Sequence, residues 1–253
     1  MPASRSIRTF VDRAIKGGLR RAGLGVYRLP KVGRAGAIPD ATFYRPLFSP
    51  WLGYGEFERY YALAAPHTLV SRDRCYQLYT LLRHALAVPG DVWECGVYRG
   101  GTAAMLAAIL ADADPSGARR LHLFDTFAGM PETDAVRDLH EAGDFATTSL
   151  DAVRRVVGRS ERVEFHPGYI PDTFVGLEDA RLAFVHIDVD IYRSVLDSCA
   201  FTFPRLSRGG VMVFDDYGFP SCPGARQAVD EFAIDVGAVP IVLPTGQAVI
   251  IKH

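Results

Sequence analysis

Two apolar runs stop on carboxylates. "VHIDVDIYRS" (residues 185–194) ends its run at Asp188 and Asp190, and "VMVFDDYG" (residues 211–218) ends at Asp215 and Asp216. An ionised carboxylate is costly to bury unless it is paired or holds a metal. Alternate residues of a strand share a face, so Asp188 and Asp190 can point the same way. If the two runs are neighbouring strands, Asp188, Asp215 and Asp216 fall into one cluster. Three hard oxygen ligands suit Mg²⁺ or a similar divalent ion. Without a cation the like charges would repel and raise each other's pKa. One such acid would read as a helix cap, but three at adjacent strand ends read as a divalent-metal site.

A second pair of motifs lies upstream. In "ECGVYRGGTA", Glu94 and Gly96 end an apolar run, and Gly100 and Gly101 open a helix. Glycines there allow a tight turn and close approach of backbone to a ligand. The helix N-terminus left open suits a carboxylate or phosphate. Tyrosine and arginine occupy the loop, so it is not the G-x-G-x-x-G of dinucleotide sites. In "LFDTFAGMP", Asp125 ends the next run, the place from which an acid binds the two hydroxyls of a ribose. Together the two motifs favour a nucleoside-bearing cofactor.

These residues need a scaffold that brings strand ends together. "EFERYYALAA" and "SRDRCYQLYTLLRHAL" read as helices, with Ser71 as N-cap of the second. Strands and helices then alternate. "DVWECGV", "RRLHLFDTF", "RVEFHPG", "ARLAFVHIDVD" and "GGVMVFDDYG" are strands. "GGTAAMLAAILADA", "SLDAVRRVVG", "YRSVLDSCAFTFPRL" and "GARQAVDEFAIDVG" are helices, the third ended or kinked by Pro204. "VPIVL" and "QAVIIKH", joined by "PTG", predict a closing hairpin that adds an antiparallel edge strand. Continuous apolar strands alternating with helices predict an α/β protein whose parallel sheet is covered on both faces, with the ligand at the strands' carboxyl ends.

The stretches "PGDVWECGVYRGGTAAML", "LHLFDTFAGMPE", "HIDVDIYRSV", "LSRGGVMVFDDYG" and "GARQAVDEF" together resemble the macrocin-O-methyltransferase-like family of sugar O-methyltransferases. The resemblance covers roughly residues 66–250. It implies a class I methyltransferase (Rossmann-like) fold, with a mostly parallel seven-stranded sheet. It implies S-adenosyl-L-methionine (AdoMet) held by the Glu94–Gly101 loop through Glu94, Gly96, Val97, Tyr98 and Gly100, with Asp125 on the ribose. The loop Phe127–Pro131 ("FAGMP") is the one the family lays over the cofactor, with Thr126, Phe127 and Gly129 as further cofactor contacts, and "HTLVS" (residues 67–71) belongs to a covering segment. The metal set it implies is Asp188, Asp215 and Asp216. Asp188, as ligand and proton acceptor, and then Asp190 are the candidate catalytic residues. Asp190 could instead orient the site or cap the helix starting at Tyr192. His140, in "DLHEAGDF", is a further candidate base, although a lone loop histidine is usually only solvated. Arg226 could steady the last helix or an anionic substrate.

The expected activity is metal-dependent methylation of a hydroxyl on a sugar, a glycosylated small molecule or a glycolipid. A metal-dependent glycosyltransferase is the alternative, because "DVD" fits the D-x-D pattern. A non-catalytic module on the same fold is the other, although a scaffold has no reason to keep so costly an acidic cluster.

Net charge is −1 over 253 residues, but the charge is unevenly spread. Residues 1–36 hold nine basic residues and one acid, with an apolar stripe at helical spacing through Ile7, Phe10, Val11, Ala14 and Ile15. This suits a helix lying on an anionic membrane surface, or one packed on the protein or on a partner subunit such as a second copy. The remaining 217 residues are net acidic, which opposes nucleic-acid binding. Cys75, Cys95, Cys199 and Cys222 lack the spacing of a zinc knuckle or disulfide framework and read as reduced thiols. With no long apolar run and no signal-peptide pattern, the expected location is the cytoplasm, peripherally at the inner face of a membrane if the basic helix docks. The expected organisation is a helix and irregular arm over 1–56 and a methyltransferase domain over 57–253.

Overall fold

The computed structural model describes residues 50–52 and 55–253. The expectations placed on residues 1–36, and on the arm up to residue 49, lie outside the described residues. Two helices, α1 (Phe57–Ala64) and α2 (Arg72–Ala85), precede the alternating region. Then follow β1 (Asp91–Cys95), α3 (Gly101–Ala113), β2 (Leu121–Asp125), α4 (Leu150–Val157), β3 (Val163–Pro167), β4 (Leu182–Ile187), α5 (Tyr192–Arg205), β5 (Leu206–Phe214), α6 (Pro223–Asp235), β6 (Ile241–Val242) and β7 (Ala248–Ile251).

The strand order is β3-β2-β1-β4-β5-β7-β6. The first five strands pair in parallel, while β7 runs antiparallel to both β5 and β6. The closing hairpin therefore puts its second arm inside the sheet and leaves β6 at the edge. Successive strand residues feed opposite cores. Val92, Leu123, Phe184 and Val211 pack with residues of α1, α2 and α3 such as Phe57, Leu78 and Met105. Trp93, Phe124, Val185 and Met212 pack with Val195, Cys199, Ala228 and Val229 of α5 and α6. Two-sided burial explains why these strands read as continuous apolar runs. Each fully buried large side chain contributes about 1.5–3 kcal/mol.

Local details correct two expectations and decide a third between its alternatives. Ser71 occupies the N-cap position, but its hydroxyl donates to Asp73 Oδ1 (2.5 Å) rather than capping an amide. Pro204 falls within the last turn of α5, so it ends the helix without kinking its middle. The start of α5 is bonded not by Asp190 but by Asp138, whose Oδ1 accepts from the Tyr192 amide at 2.8 Å. That leaves the Asp190 carboxylate directed elsewhere.

Candidate active site

A cavity of about 270 Å³ opens at the carboxyl ends of the parallel strands. One wall comes from β1 and β2. Gly96 leaves β1 with φ +87°, and a Cβ there would run into the backbone carbonyl of Asp188. Only glycine lets this turn pass so close to the end of β4. Asp125, at the end of β2, holds the same turn. Its Oδ2 accepts from the Val97 amide (2.7 Å) and the Tyr98 amide (2.9 Å), and its Oδ1 from the Phe127 amide (2.6 Å). The loop after β2 closes over this wall. Thr148 Oγ1 donates to the Tyr98 carbonyl, and Arg99 Nη2 donates to Thr147 Oγ1 at 3.0 Å.

The opposite wall is acidic. Asp188, Asp190 and Asp216 line the cavity. Asp215 is fully buried behind them. Its Oδ2 is bonded by Arg74, and its Oδ1 accepts from Gln247 Nε2 at 2.8 Å and lies 3.6 Å from His186 Nε2. His186 Nδ1 in turn sits 2.9 Å from Glu94 Oε1, across the β1–β4 register that sets Glu94 beside His186. Burial alone would lower the His186 pKa, but Asp215 and Glu94 outweigh it and push it up to about 10. Burial likewise favours neutral Asp215, yet His186, Arg74 and Gln247 hold its pKa below the usual value.

Among the described residues, no comparable partners reach the other three acids. Burial, reinforced by the charge of Asp215, pushes Asp188 well above the carboxylate range. Burial and the charges of Asp188 and Asp190 do the same to Asp216. Burial also raises Asp190, whose Oδ1 accepts from Cys222 Sγ at 3.5 Å and lies 3.9 Å from His140 Nε2. Arg74 and His186 are thus consumed by Asp215 and Glu94, and the acids facing the cavity have negative charge left over. Hard carboxylate oxygens in excess of their counter-ions fit a divalent cation. Asp188 and Asp216 present those oxygens directly, and Asp215 stands behind them with Arg74 as its present partner. His186, Asp188 and Asp215 each offer a ligand atom within 4.8 Å of the others.

The cavity wall therefore includes Gly96, Val97, Tyr98, Asp125, Thr126 and Gly129, as well as Asp188, Asp190 and Asp216. It does not include Glu94, Gly100, Phe127 or Asp215. Glu94 is turned into the sheet towards His186, with Oε2 lacking a hydrogen-bond partner among the described residues. Gly100 starts α3 and packs towards Val153 of α4, and Phe127 is buried in the core near Phe165. Asp188 and Asp190 do share the cavity, but not through strand alternation. β4 ends at Ile187, and Asp190 sits beyond it at φ +58°. His140 is anchored rather than simply solvated, with Nδ1 2.9 Å from Asp144 Oδ2. Arg226 steadies the final helix, its Nε donating to the Tyr217 carbonyl at 2.8 Å.

Sequence reasoning missed Arg74 and Gln247 as partners of the acids, and Phe145, Tyr169 and Phe219 as apolar wall, while Met130 of the expected covering loop does line the cavity. His186 carried a visible signal, a titratable residue inside the apolar run "LAFVHI". Arg74 carried none. It lies 141 residues before Asp215 and is set in place by its bonds to Ser71 Oγ (3.2 Å) and the Leu69 carbonyl (3.1 Å). The covering segment is present, since His67, Thr68, Leu69 and Val70 all line the cavity.

A seven-stranded sheet of this order, with one strand reversed and a cavity at the carboxyl ends, defines the class I methyltransferase architecture. The model of the macrocin-O-methyltransferase (TylF) family matches residues 59–238, and the chain belongs to that family of O-methyltransferases. It is 36% identical over 179 residues to the 8-demethyl-8-(2,3-dimethoxy-alpha-L-rhamnosyl)-tetracenomycin-C 4'-O-methyltransferase of Streptomyces olivaceus, covering 66% of this chain and 67% of that one. It is 35% identical to the mycinamicin III 3''-O-methyltransferase of Micromonospora griseorubida, covering 66% and 70%. The solved structure of the O-methyltransferase NovP superposes with a TM-score of 0.67 at 28% identity, over 74% of this chain and 82% of that one. Family membership sets aside the glycosyltransferase reading and that of a non-catalytic module.

Proposed function

We propose that this protein is an AdoMet-dependent O-methyltransferase that also uses a divalent metal and methylates a sugar hydroxyl on a glycosylated small molecule or glycolipid. The observation that carries the reading is the unequal pairing of the two walls. Asp125 is satisfied by backbone amides, whereas Asp188, Asp190 and Asp216 face the same cavity without a matching cation among the described residues. The Streptomyces olivaceus relative is named for methylation of a rhamnosyl-bearing compound, which supports a sugar-bearing acceptor.

In this reading the turn from Gly96 to Tyr98 and the loop through Thr126 and Gly129 enclose AdoMet. Asp125 keeps lone pairs for the ribose while it holds the turn. Glu94 supports the turn from within the sheet. AdoMet, when bound, supplies a methyl group on a sulfonium centre. Asp188 and Asp216, backed by Asp215, would hold a divalent ion, which when bound lowers the pKa of a coordinated hydroxyl. Asp190 stands beside them, free of α5, and takes the proton that the acceptor oxygen gives up. His67, Leu69, Met130 and Tyr169 at the rim exclude water and offer apolar surface to the rest of the acceptor.

The catalytic domain is residues 57–253, with 1–56 as an appended arm. Four free, buried thiols favour a reducing compartment, in keeping with a cytoplasmic enzyme. Among the described residues no helix is long and apolar enough to cross a membrane. A peripheral membrane contact or self-association through residues 1–36 stays part of the proposal.

Calorimetry with AdoMet, with and without Mg²⁺, tests the reading. AdoMet should bind in both cases, and methyl transfer to a glycoside should require the metal. Absence of AdoMet binding would overturn it, and full activity in chelator would remove the metal from it.

A further inference from the structure

A second group of metal-ligating side chains lies outside the cavity, on the outermost parallel pair of strands. β2 and β3 pair with His122 opposite Glu164 and Phe124 opposite His166. Side chains two apart on a strand share a face, so His122, Glu164 and His166 converge on one side of the sheet. His122 Nδ1 lies 3.0 Å from His166 Nε2 and 3.7 Å from Glu164 Oε2. All three ligand atoms fall within 4.8 Å of one another. Two ligand atoms on a tetrahedral zinc ion stand roughly 3.3 Å apart, given bonds of about 2.0–2.1 Å. The two observed separations bracket that value, so a few tenths of an ångström of adjustment would seat an ion.

The surroundings orient these atoms. Arg120 Nη1 donates to Glu164 Oε1 at 2.5 Å, which leaves Oε2 for a ligand. Asp91 Oδ2 stands 3.9 Å from His122 Nε2, the nitrogen turned away from the cluster. At that distance Asp91 is not a hydrogen-bond partner, but its negative charge favours positive charge on the imidazole and so favours a cation at the ring's other face. The Asp91 carboxylate is held in turn by the Arg120 amide, which donates to Oδ1 at 2.8 Å. Phe124 stacks on His166 with centroids 4.5 Å apart, which fixes the plane of that ring. His122 is buried, whereas Glu164 and His166 are partly exposed and give an ion a way in. Two facing ring nitrogens 3.0 Å apart must share a single proton, and a cation bound by both lone pairs replaces it.

We propose that His122, Glu164 and His166 form a second metal site, one that takes a transition ion of the Zn²⁺ type. Two imidazoles and one carboxylate select that class, whereas the all-oxygen cluster in the cavity selects Mg²⁺ or Mn²⁺. The ion ties the edge strand β3 to β2 just before both strands reach the cavity, at Asp125 and at Gly168–Ile170. Its role is to hold that wall in place, and the site does not depend on the methyltransferase reading.

The test is a Co²⁺ titration of the full-length, untagged protein, with excess Mg²⁺ present to fill the acidic cluster. One equivalent of Co²⁺ should give the strong visible bands of tetrahedral cobalt, and Zn²⁺ should abolish them and raise the thermal midpoint. His166→Gln and Glu164→Gln change partly exposed residues, and each should weaken binding about 100-fold or more. Asp91→Asn, which removes a nearby charge but no ligand, should weaken it only about 2–5-fold. Asp216→Asn and His140→Gln should leave the bands unchanged. Circular dichroism checks that each variant is folded. No visible band in the wild type would overturn the proposal. So would bands that survive His166→Gln, or bands lost in folded Asp216→Asn or His140→Gln protein.

Discussion

The cavity's two walls carry the same residue type at the same kind of position and use it in opposite ways. Asp125 ends β2 and accepts three backbone amides, so its charge is spent on shaping the turn after β1. Asp188, Asp190 and Asp216 follow β4 and β5 and accept few bonds, while the nearby cations Arg74 and His186 are committed to Asp215 and Glu94. A satisfied carboxylate organises the backbone. An unsatisfied group of them is poised for something that comes from outside. Gly96 joins the two walls, because its missing side chain is what lets the turn lie against Asp188.

The largest expected effect falls on the acidic wall. Asp216→Asn and Asp188→Asn should each lower methyl transfer on the order of 10²–10⁴-fold. AdoMet affinity should change only a few-fold. Single-turnover rates alongside calorimetric affinities check this, and parallel losses of rate and affinity would erase the distinction between the walls.

Asp125→Asn should show the reverse pattern. Losing charge-assisted bonds to the turn costs about 1.5–3 kcal/mol, or roughly 10–150-fold, and the loss should appear in AdoMet affinity. Mn²⁺ binding, followed by paramagnetic resonance, should be unaffected. If Asp125→Asn weakened Mn²⁺ instead, Asp125 would belong to the other wall.

The smallest effect is a pH dependence of stability in chelator. The folded pKa values of Asp188 and Asp216 lie above their unfolded values, chiefly through burial. The folded state therefore keeps protons that the unfolded chain releases above about pH 4. The stability these protons confer is complete below that pH and is lost as pH rises towards the folded pKa values. Metal-free protein should thus have a higher thermal midpoint at pH 5.5 than at pH 8. The charge pairing of Asp215 with Arg74 and His186 works in the opposite sense. It is present above about pH 4 and lost only as pH falls through the depressed Asp215 value, below the window tested. His186, held up to about 10, adds to the same slope, because the folded imidazole keeps a proton that the unfolded one releases above about pH 6.5. His122 and His166, lowered chiefly by burial, oppose it as pH falls below about 6.5, so the share of the acids is read from the difference between wild type and Asp216→Asn. Mg²⁺ favours the ionised acids and should flatten the slope, and Asp216→Asn should reduce it. A slope unchanged by both would break the claim that these acids are unsatisfied.

Much of this was legible along the chain because the signals are local. Apolar runs such as "LAFVHI" and "VMVF" are strands because both their faces are covered, and the acids that end them mark the ligand edge. The glycines of "ECGVYRGG" announce a turn of unusual backbone angle. The pairing of those acids was not legible. Nothing near Asp215 in sequence points to Arg74 or Gln247, and nothing near Tyr192 points to the bond from Asp138. Glu94 looked like a cofactor ligand because it precedes the glycine turn, yet strand register turns it to His186. His122 and His166, 44 residues apart, carried no shared motif and meet only because β3 docks on β2.

The sequence by itself determined the element order, the parallel sheet, its ligand-bearing edge and the family to which the chain belongs. Periodicity, turn residues and strand-ending acids are properties of neighbours in the chain. Tertiary structure decided which acid is held ionised by buried cations and which is left without a partner. That choice depends on distances between groups far apart in sequence, and in a buried site a few ångströms separate a carboxylate paired with a cation from one that is not.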